Sequence, residues 1–290
     1  MRRDSRIADI EKMYRFEGQT LQEIGDYYGI SRERVRQIME AHDVNRRHFY
    51  SVRLPYGFRM TDYYKYYSNK RDRAFEKIDD TATAYWVGYL LADGTIWRGY
   101  ICLRTIDKNL LMQFKHFIGC NLPIVESPCN TNWSTKNILW DFRIHCNRMV
   151  DDLKQYGVTH GKTHKKRIKN IPEKFISHFV RGFFDGDGCV NVSKPNHYLE
   201  TWIPSIQVSF TSNKSMLEDI QLILHHLGLV SMTKITQNKT CPKTYALVYS
   251  SAVARNILKW MYKDATCFLP RKKRIYDNYV QNYSDKFRIT

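Results

Sequence analysis

Two stretches of this chain repeat one another. A chain that repeats itself over a domain-sized period folds as two similar units, here about a pseudo-two-fold axis. Residues 84–94, AYWVGYLLADG, align without a gap on residues 178–188, HFVRGFFDGDG, so that Asp93 and Asp187 fall at equivalent positions 94 residues apart. The likeness continues downstream. Residues 103–119, LRTIDKNLLMQFKHFIG, match 209–228, SFTSNKSMLEDIQLILHHLG. In each, a strand pattern gives way to a helical one that stops at glycine. Strand patterns follow at FRIHCN and ALVYSS, leading into amphipathic helices over 148–156 and 253–262. Each half closes on a basic segment, 162–167 and 271–274. Each half therefore reads as helix, two strands, helix, two strands, helix. The expected fold class is α+β: a tandem αββαββα core over 79–169 and 170–290. A basic and aromatic linker at 49–78 precedes it, and a small all-α unit at 1–48 comes first.

The repeated helices carry small residues where propensity argues against them. Glycine inside a helix costs about 1 kcal/mol relative to alanine, yet the second copy holds Gly182 and Gly186, and the first Gly88 and Ala92. Four residues apart, each pair lines one stripe, on which two helices can approach closely. Gly94 and Gly188 follow the last helical turn, where glycine suits a left-handed cap.

These two strings resemble the signature helices of the LAGLIDADG homing endonucleases, and the resemblance covers about residues 79–290. It implies that the motif helices pack against each other and bring Asp93 and Asp187 together at their C-terminal ends. Two carboxylates near two negative helix termini repel one another and suit a divalent cation. The implied metal ligands are Asp93, Asp187 and the backbone carbonyls of Ala92 and Gly186. The implied cofactor is Mg²⁺ or Mn²⁺, which would drive hydrolysis of one phosphodiester in each strand of duplex DNA. The resemblance implies that each basic segment brings one lysine to the reacting phosphate: Lys166, with Lys165 as the alternative, and Lys273, with Lys272 as the alternative. A solvated lysine-rich turn is the competing reading. Position 185 is aspartate where its counterpart is Leu91. The family often has an acid there without using it as a ligand, so the departure is not counted as inactivating.

In the family the strands form an antiparallel saddle in the major groove. Candidate groove residues are Arg98 and Arg104 in the first half and Lys194 and Gln207 in the second; which alternate set faces DNA stays open. The second half carries an extra hairpin at 195–204, which predicts asymmetric reading of a long target.

Residues 6–44 read as three short helices. Thr20 opens the second, with Glu23 three residues on as in a capping box, and Ser31 opens the third after a Gly29-Ile30 turn. The string LQEIGDYYGISRERVRQIMEAH resembles the final DNA-binding region of bacterial sigma factors, a helix-turn-helix. Its outward residues Arg32, Arg34, Arg36 and Gln37 are DNA-binding candidates. An ordinary three-helix scaffold is the alternative.

Charge agrees with a nucleic-acid partner. Lys plus Arg number 46 against 29 acids, a formal net charge of +17, and the 20 tyrosines lie often beside them. No run of about 18 apolar residues spans a membrane, and the N-terminus lacks the apolar stretch of a secretory signal. Seven scattered cysteines, none in a CxxC, point to a reducing compartment without disulfide frame or structural zinc. The expectation is a cytoplasmic monomer acting on duplex DNA at the nucleoid of a bacterial or phage-infected cell. Two alternatives of the same fold remain: a catalytically inactive DNA-binding regulator, and an RNA-binding intron maturase.

Overall fold

The computed structural model describes residues 6–15, 19–42, 44, 72–120, 122–127, 138–193 and 204–284. These fall into two compact units, one within Met1–Arg71 together with Lys115–Val125, the other within Asp72–Phe114 and Glu126–Thr290.

In the first unit, α1 (Ile7–Arg15), α2 (Leu21–Tyr28) and α3 (Arg32–Ala41) close over a core of Ile10, Tyr14, Ile24, Val35, Ile38 and Met39. The local sequence dictates the turns. Thr20 Oγ1 accepts from the Glu23 N–H at 3.1 Å while Glu23 takes the Thr20 N–H at 2.7 Å. Ser31 caps α3 through the Arg34 N–H at 3.1 Å. Gly29 between the helices has φ 62°, a conformation costly for any residue with a Cβ.

Between Thr81 and Tyr262 one pattern occurs twice. The first copy runs α4 (Thr81–Ala92), β1 (Thr95–Trp97), β2 (Tyr100–Thr105), α5 (Lys108–Phe117), β3 (Val125–Ser127), β4 (Leu139–His145) and α6 (Asn147–Lys154). The second runs α7 (Ile176–Asp187), β5 (Gly188–Val192), β6 (Ile206–Ser212), α8 (Lys214–His226), β7 (Thr236–Gln237), β8 (Tyr245–Ser250) and α9 (Ser251–Tyr262), followed by α10 (Pro270–Tyr283). Each copy builds a four-stranded sheet of the same order, β1-β2-β4-β3 and β5-β6-β8-β7, and the paired ladders are antiparallel. The expected α+β tandem αββαββα architecture is therefore present.

Side chains alternate across each sheet, as a period of two requires. Ile96, Ile101, Leu103, Phe142 and Ile144 are buried on the inner face of the first sheet; Val190, Val208, Phe210 and Leu247 are buried on that of the second. Aromatic contacts link helix to sheet, Trp86 to Phe114 at 4.9 Å and Phe184 to Phe210 at 5.6 Å. Between β1 and β2 a two-residue turn has φ 45° at Arg98 and 82° at Gly99, both positive, as tight hairpin twist demands.

Two expectations change here. Part of the segment assigned to a linker is folded: Ala74, Phe75 and Ile78 are buried, and Gln155 Nε2 on the turn after α6 donates to the Glu76 carbonyl at 3.1 Å. Three apolar residues within five positions dock it, together with polar contacts to Asp72 and Glu76. Secondly, neither Gly94 nor Gly188 is left-handed; Gly188 has φ −111° and ψ 171°. The strand begins at once, so glycine is needed there for space. A Cβ at Gly94 would lie 2.7 Å from the Leu90 carbonyl oxygen, and one at Gly188 would lie 2.6 Å from that of Phe184.

Candidate active site

The site is set by how α4 and α7 cross. A Cβ on Gly88 would overlap the carbonyl oxygen of Phe179, and one on Gly182 would overlap that of Tyr85. The backbones thus touch at the glycine stripe. One turn further on, a Cβ on Gly186 would collide with Ala92 Cβ and stand 3.3 Å from Asp93 Cγ. The ends of the two helices, and with them Asp93 and Asp187, are held side by side.

Asp93 is the C-cap of α4 and Asp187 the last residue of α7. Burial, then the charge of Asp187, push the Asp93 carboxyl above its ordinary range, while Lys166, Lys272 and Lys162 pull the other way. These three lysines are buried, with relative exposures of 8% for Lys162, 5% for Lys166 and 4% for Lys272. Lys166 Nζ is ion-paired to Asp187 Oδ2 and donates to the Ala92 carbonyl at 3.0 Å. Lys162 Nζ donates to the Gly94 carbonyl. Lys272 Nζ donates to the carbonyls of Phe184 at 2.6 Å, Asp185 at 2.9 Å and Gly188 at 2.5 Å. Helix C-terminal carbonyls carry about half a negative charge per helix, so ammonium groups are the natural caps. Burial depresses Lys162 and Lys272, each to about 8.

Each basic segment is anchored on the opposite repeat. Arg167 grips Asp219 of α8 with two bonds of 2.8 Å, and Asn213 Nδ2 holds the Lys166 carbonyl at 3.1 Å. Arg271 Nε donates to Asp107 in the first repeat at 3.1 Å. Lys166 and Lys272, adjacent to those arginines, are thereby aimed at the helix ends. The sequence could not fix this register. Lys165 is exposed, and Lys273 pairs with Asp277 at 2.7 Å, so Lys272 takes the place assigned to Lys273. The reason is the phase of α10, in which position 272 is buried and position 273 is turned towards Asp277. Lys162 was missed; its only signal was membership of the basic run.

The Leu91 departure also finds its reason. Asp185 is wholly buried, accepts the Tyr85 hydroxyl at 2.8 Å and the Leu269 N–H at 2.7 Å, and burial pushes it up to about 6. Leu269 is the N-cap of α10, so Asp185 fixes the helix that carries Lys272. On the same helix, Arg181 donates to the carbonyls of Met261 at 2.6 Å and Cys267 at 2.8 Å, capping the end of α9.

Of the remaining candidates, Arg104 and Gln207 lie on the outer faces of the two sheets, and Arg98 stacks over Trp97 at 4.5 Å. Lys194 and the hairpin beyond it fall outside the described residues. On α3, Arg32 and Arg34 are exposed, Arg34 donates to Gln37 at 3.3 Å, and Arg36 is gripped by Glu33 and Glu40.

A divalent cation fits this donor set in part. Asp187 and the Ala92 carbonyl share one partner, Lys166 Nζ, Asp93 lies on the neighbouring helix end, and a magnesium ion takes oxygen ligands of these kinds together with water and phosphate. Lys166, however, holds two of those oxygens, and no cluster of three or more His, Cys, Asp or Glu side chains exists among the described residues.

Residues 174–260 match the LAGLIDADG-like domain and residues 8–41 match sigma-70, region 4. The first match falls in the second repeat and the second in the three-helix unit. Curated relatives come from Methanocaldococcus jannaschii. The DNA-directed RNA polymerase subunit Rpo1C is 23% identical over 184 residues, covering 60% of this chain and 19% of that protein; reverse gyrase is 22% identical over 204 residues, covering 69% and 11%. The chain spans less than a fifth of either. Among solved structures, the LAGLIDADG meganuclease I-AabMI bound to uncleaved DNA overlays with TM-score 0.47 at 11% identity, covering 71% of this chain and 92% of that one. I-SmaMI bound to uncleavable DNA overlays with TM-score 0.48 at 13% identity, covering 71% and 88%.

Proposed function

We propose that the chain is a site-specific endonuclease that cuts both strands of duplex DNA at a long, asymmetric target with the help of Mg²⁺ or Mn²⁺. The carrying observation is the meeting of Asp93 and Asp187, one from each repeat, at two abutting helix ends. Mutual repulsion of carboxylates makes such an arrangement poor as structure and good as a cation site. When bound, a divalent ion would polarise the scissile phosphate and acidify a water molecule.

The protein's own groups do the rest. Asp93 and Asp187 hold the charge that recruits the ions and serve one strand each. Lys166 must leave Asp187 and Ala92 for a ligand to enter, and its ammonium is then free to neutralise the phosphate. Lys162 and Lys272 keep the helix-end carbonyls satisfied throughout. The two sheets present their outer faces to the major grooves as a saddle, and α3 adds a second contact through Arg32, Arg34 and Gln37. The chain acts as a monomer, since one copy already supplies both halves of the site. No described helix is long and apolar enough to cross a membrane. A reducing compartment such as the cytoplasm is the proposed location, on the seven scattered cysteines of the sequence with none in a CxxC.

A second reading, a regulator that binds DNA without cutting, draws on the ammonium of Lys166 standing where a cation would bind. Incubation of a duplex library with the full chain, in Mg²⁺ and in EDTA, separates the two. Metal-dependent cutting at a defined sequence is expected. Tight binding with no cutting in any divalent metal would favour the regulator.

A further inference from the structure

The two sheets have the same topology and opposite surface chemistry. The four strands of the second sheet contain no charged residue. Its outer face offers amides and hydroxyls, Asn191 opposite Gln207 and Gln207 opposite Ser250. The first sheet instead carries a three-residue cluster on its outer face. Arg104 and Asp141 are direct cross-strand partners on β2 and β4, and Arg143 lies two residues beyond Asp141 on the same face. Asp141 Oδ2 accepts from Arg104 Nη2 at 3.0 Å and from Arg143 Nη2 at 2.6 Å, and Arg143 Nε reaches the same carboxylate at 3.2 Å. The side chain of Asp141 is 11% exposed, whereas those of Arg104 and Arg143 are 52% and 53% exposed. An anion therefore lies beneath two outward cations.

That arrangement trades charge for geometry. A carboxylate under a guanidinium weakens its pull on a phosphate, the contact that governs non-specific affinity. It also removes the rotational freedom of a long side chain and leaves further N–H groups of the fork for a second acceptor. A fixed fork with reduced net charge suits a neutral, paired acceptor, and the major groove offers one at guanine, through O6 and N7. Desolvation acts to raise Asp141, but the hydrogen bonds from Arg143 and Arg104 outweigh it and hold the carboxyl below its ordinary range. The clamp is therefore charged at neutral pH.

We propose that Asp141 is a positioning residue that fixes Arg104 and Arg143 as a pair of guanine readers, so that the half-site under the first sheet requires guanine at two positions while the half-site under the second does not. This rests on the DNA reading above. The test is selection of bound duplexes from a randomised pool by the full chain in metal-free buffer, followed by sequencing and by affinity against salt concentration. Guanine should be enriched at two positions. Arg104→Lys and Arg143→Lys, which keep the charge and lose the fork, should each cut discrimination at one position by roughly 5- to 100-fold, with the salt dependence preserved. Asp141→Asn should relax both positions together. Unchanged base preference in the lysine variants, or in Asp141→Asn, overturns the proposal. So does a uniform loss of affinity across sequences in Arg104→Ala and Arg143→Ala with a salt slope lower by about one, the mark of a phosphate contact. Enrichment of no duplex at all overturns the DNA reading, and this inference with it.

Discussion

Gly88 and Gly182 each meet the main chain of the opposite helix: the space a Cβ would take on each is filled by a backbone carbonyl, from Phe179 and Tyr85 respectively. This contact sets the separation of α4 and α7 and hence how near Asp93 and Asp187 stand. Gly182→Ala gains about 1 kcal/mol of helix propensity but overpacks the crossing, which costs typically 1–3 kcal/mol and more where only backbone can yield. A net destabilisation of about 2 kcal/mol is expected in the denaturant midpoint. A midpoint at the wild-type value would mean that the helices do not cross at this distance.

Asp93→Asn and Asp187→Asn should each abolish double-strand cleavage and leave duplex binding within a few-fold. Supercoiled plasmid carrying the target resolves intact, nicked and linear products. Normal linear product from either variant would show that the carboxylates are not the working pair.

Lys272 and Lys273 are neighbours with opposite roles. Lys272→Met strips the donor from two buried carbonyls and one part-buried one and should cost about 1–3 kcal/mol for the groups left unsatisfied. Lys273→Ala removes an exposed pair with Asp277, worth less than about 1 kcal/mol. Equal midpoints for the two variants would contradict the inward register of α10.

His178 gives the fold a pH dependence. Burial, then the charge of Arg181, depress its pKa from 6.5 to about 4. The folded chain thus keeps it neutral while the unfolded chain takes a proton below about pH 6.5. Its contribution is complete above pH 6.5 and is lost as the pH falls towards 4, by up to about 3 kcal/mol. Urea midpoints at pH 7.5 and pH 5 should converge in His178→Gln; an unchanged gap would place the sensitivity elsewhere.

On α3, Arg36 is held between Glu33 and Glu40, whereas Arg32 and Arg34 are exposed. Arg36→Ala should therefore weaken duplex binding less than Arg32→Ala or Arg34→Ala. Fluorescence anisotropy on one labelled duplex ranks the three, and a larger loss from Arg36→Ala would show that the acids release it on binding.

The repeat, the N-caps of the first helices and the glycine stripes were legible because each is local or periodic. Thr20, Glu23 and Ser31 act within one turn of themselves, and Asp93 and Asp187 are marked by position in two matching strings. The lysines were legible only as a class. Whether Lys272 or Lys273 points inward depends on the phase of α10, which is fixed from afar by Asp185 at Leu269 and by Arg271 on Asp107. Arg104 was legible as a groove candidate, but its clamping by Asp141 was not, since 37 residues separate it from the acid it meets.

By itself, then, the sequence determined that the core is two copies of one αββαββα unit, that their helices approach at glycine, and that two aspartates end them. Hydrophobic period and residue size are properties of short stretches, and they survive without knowledge of the partner. Tertiary structure alone decided which lysines reach the helix ends, which alternate face of each sheet is open, and that one sheet carries clamped arginines on its outer face while the strands of the other carry no charged residue. Those outcomes rest on strand register and helix phase, and a shift of a single residue would reverse each of them.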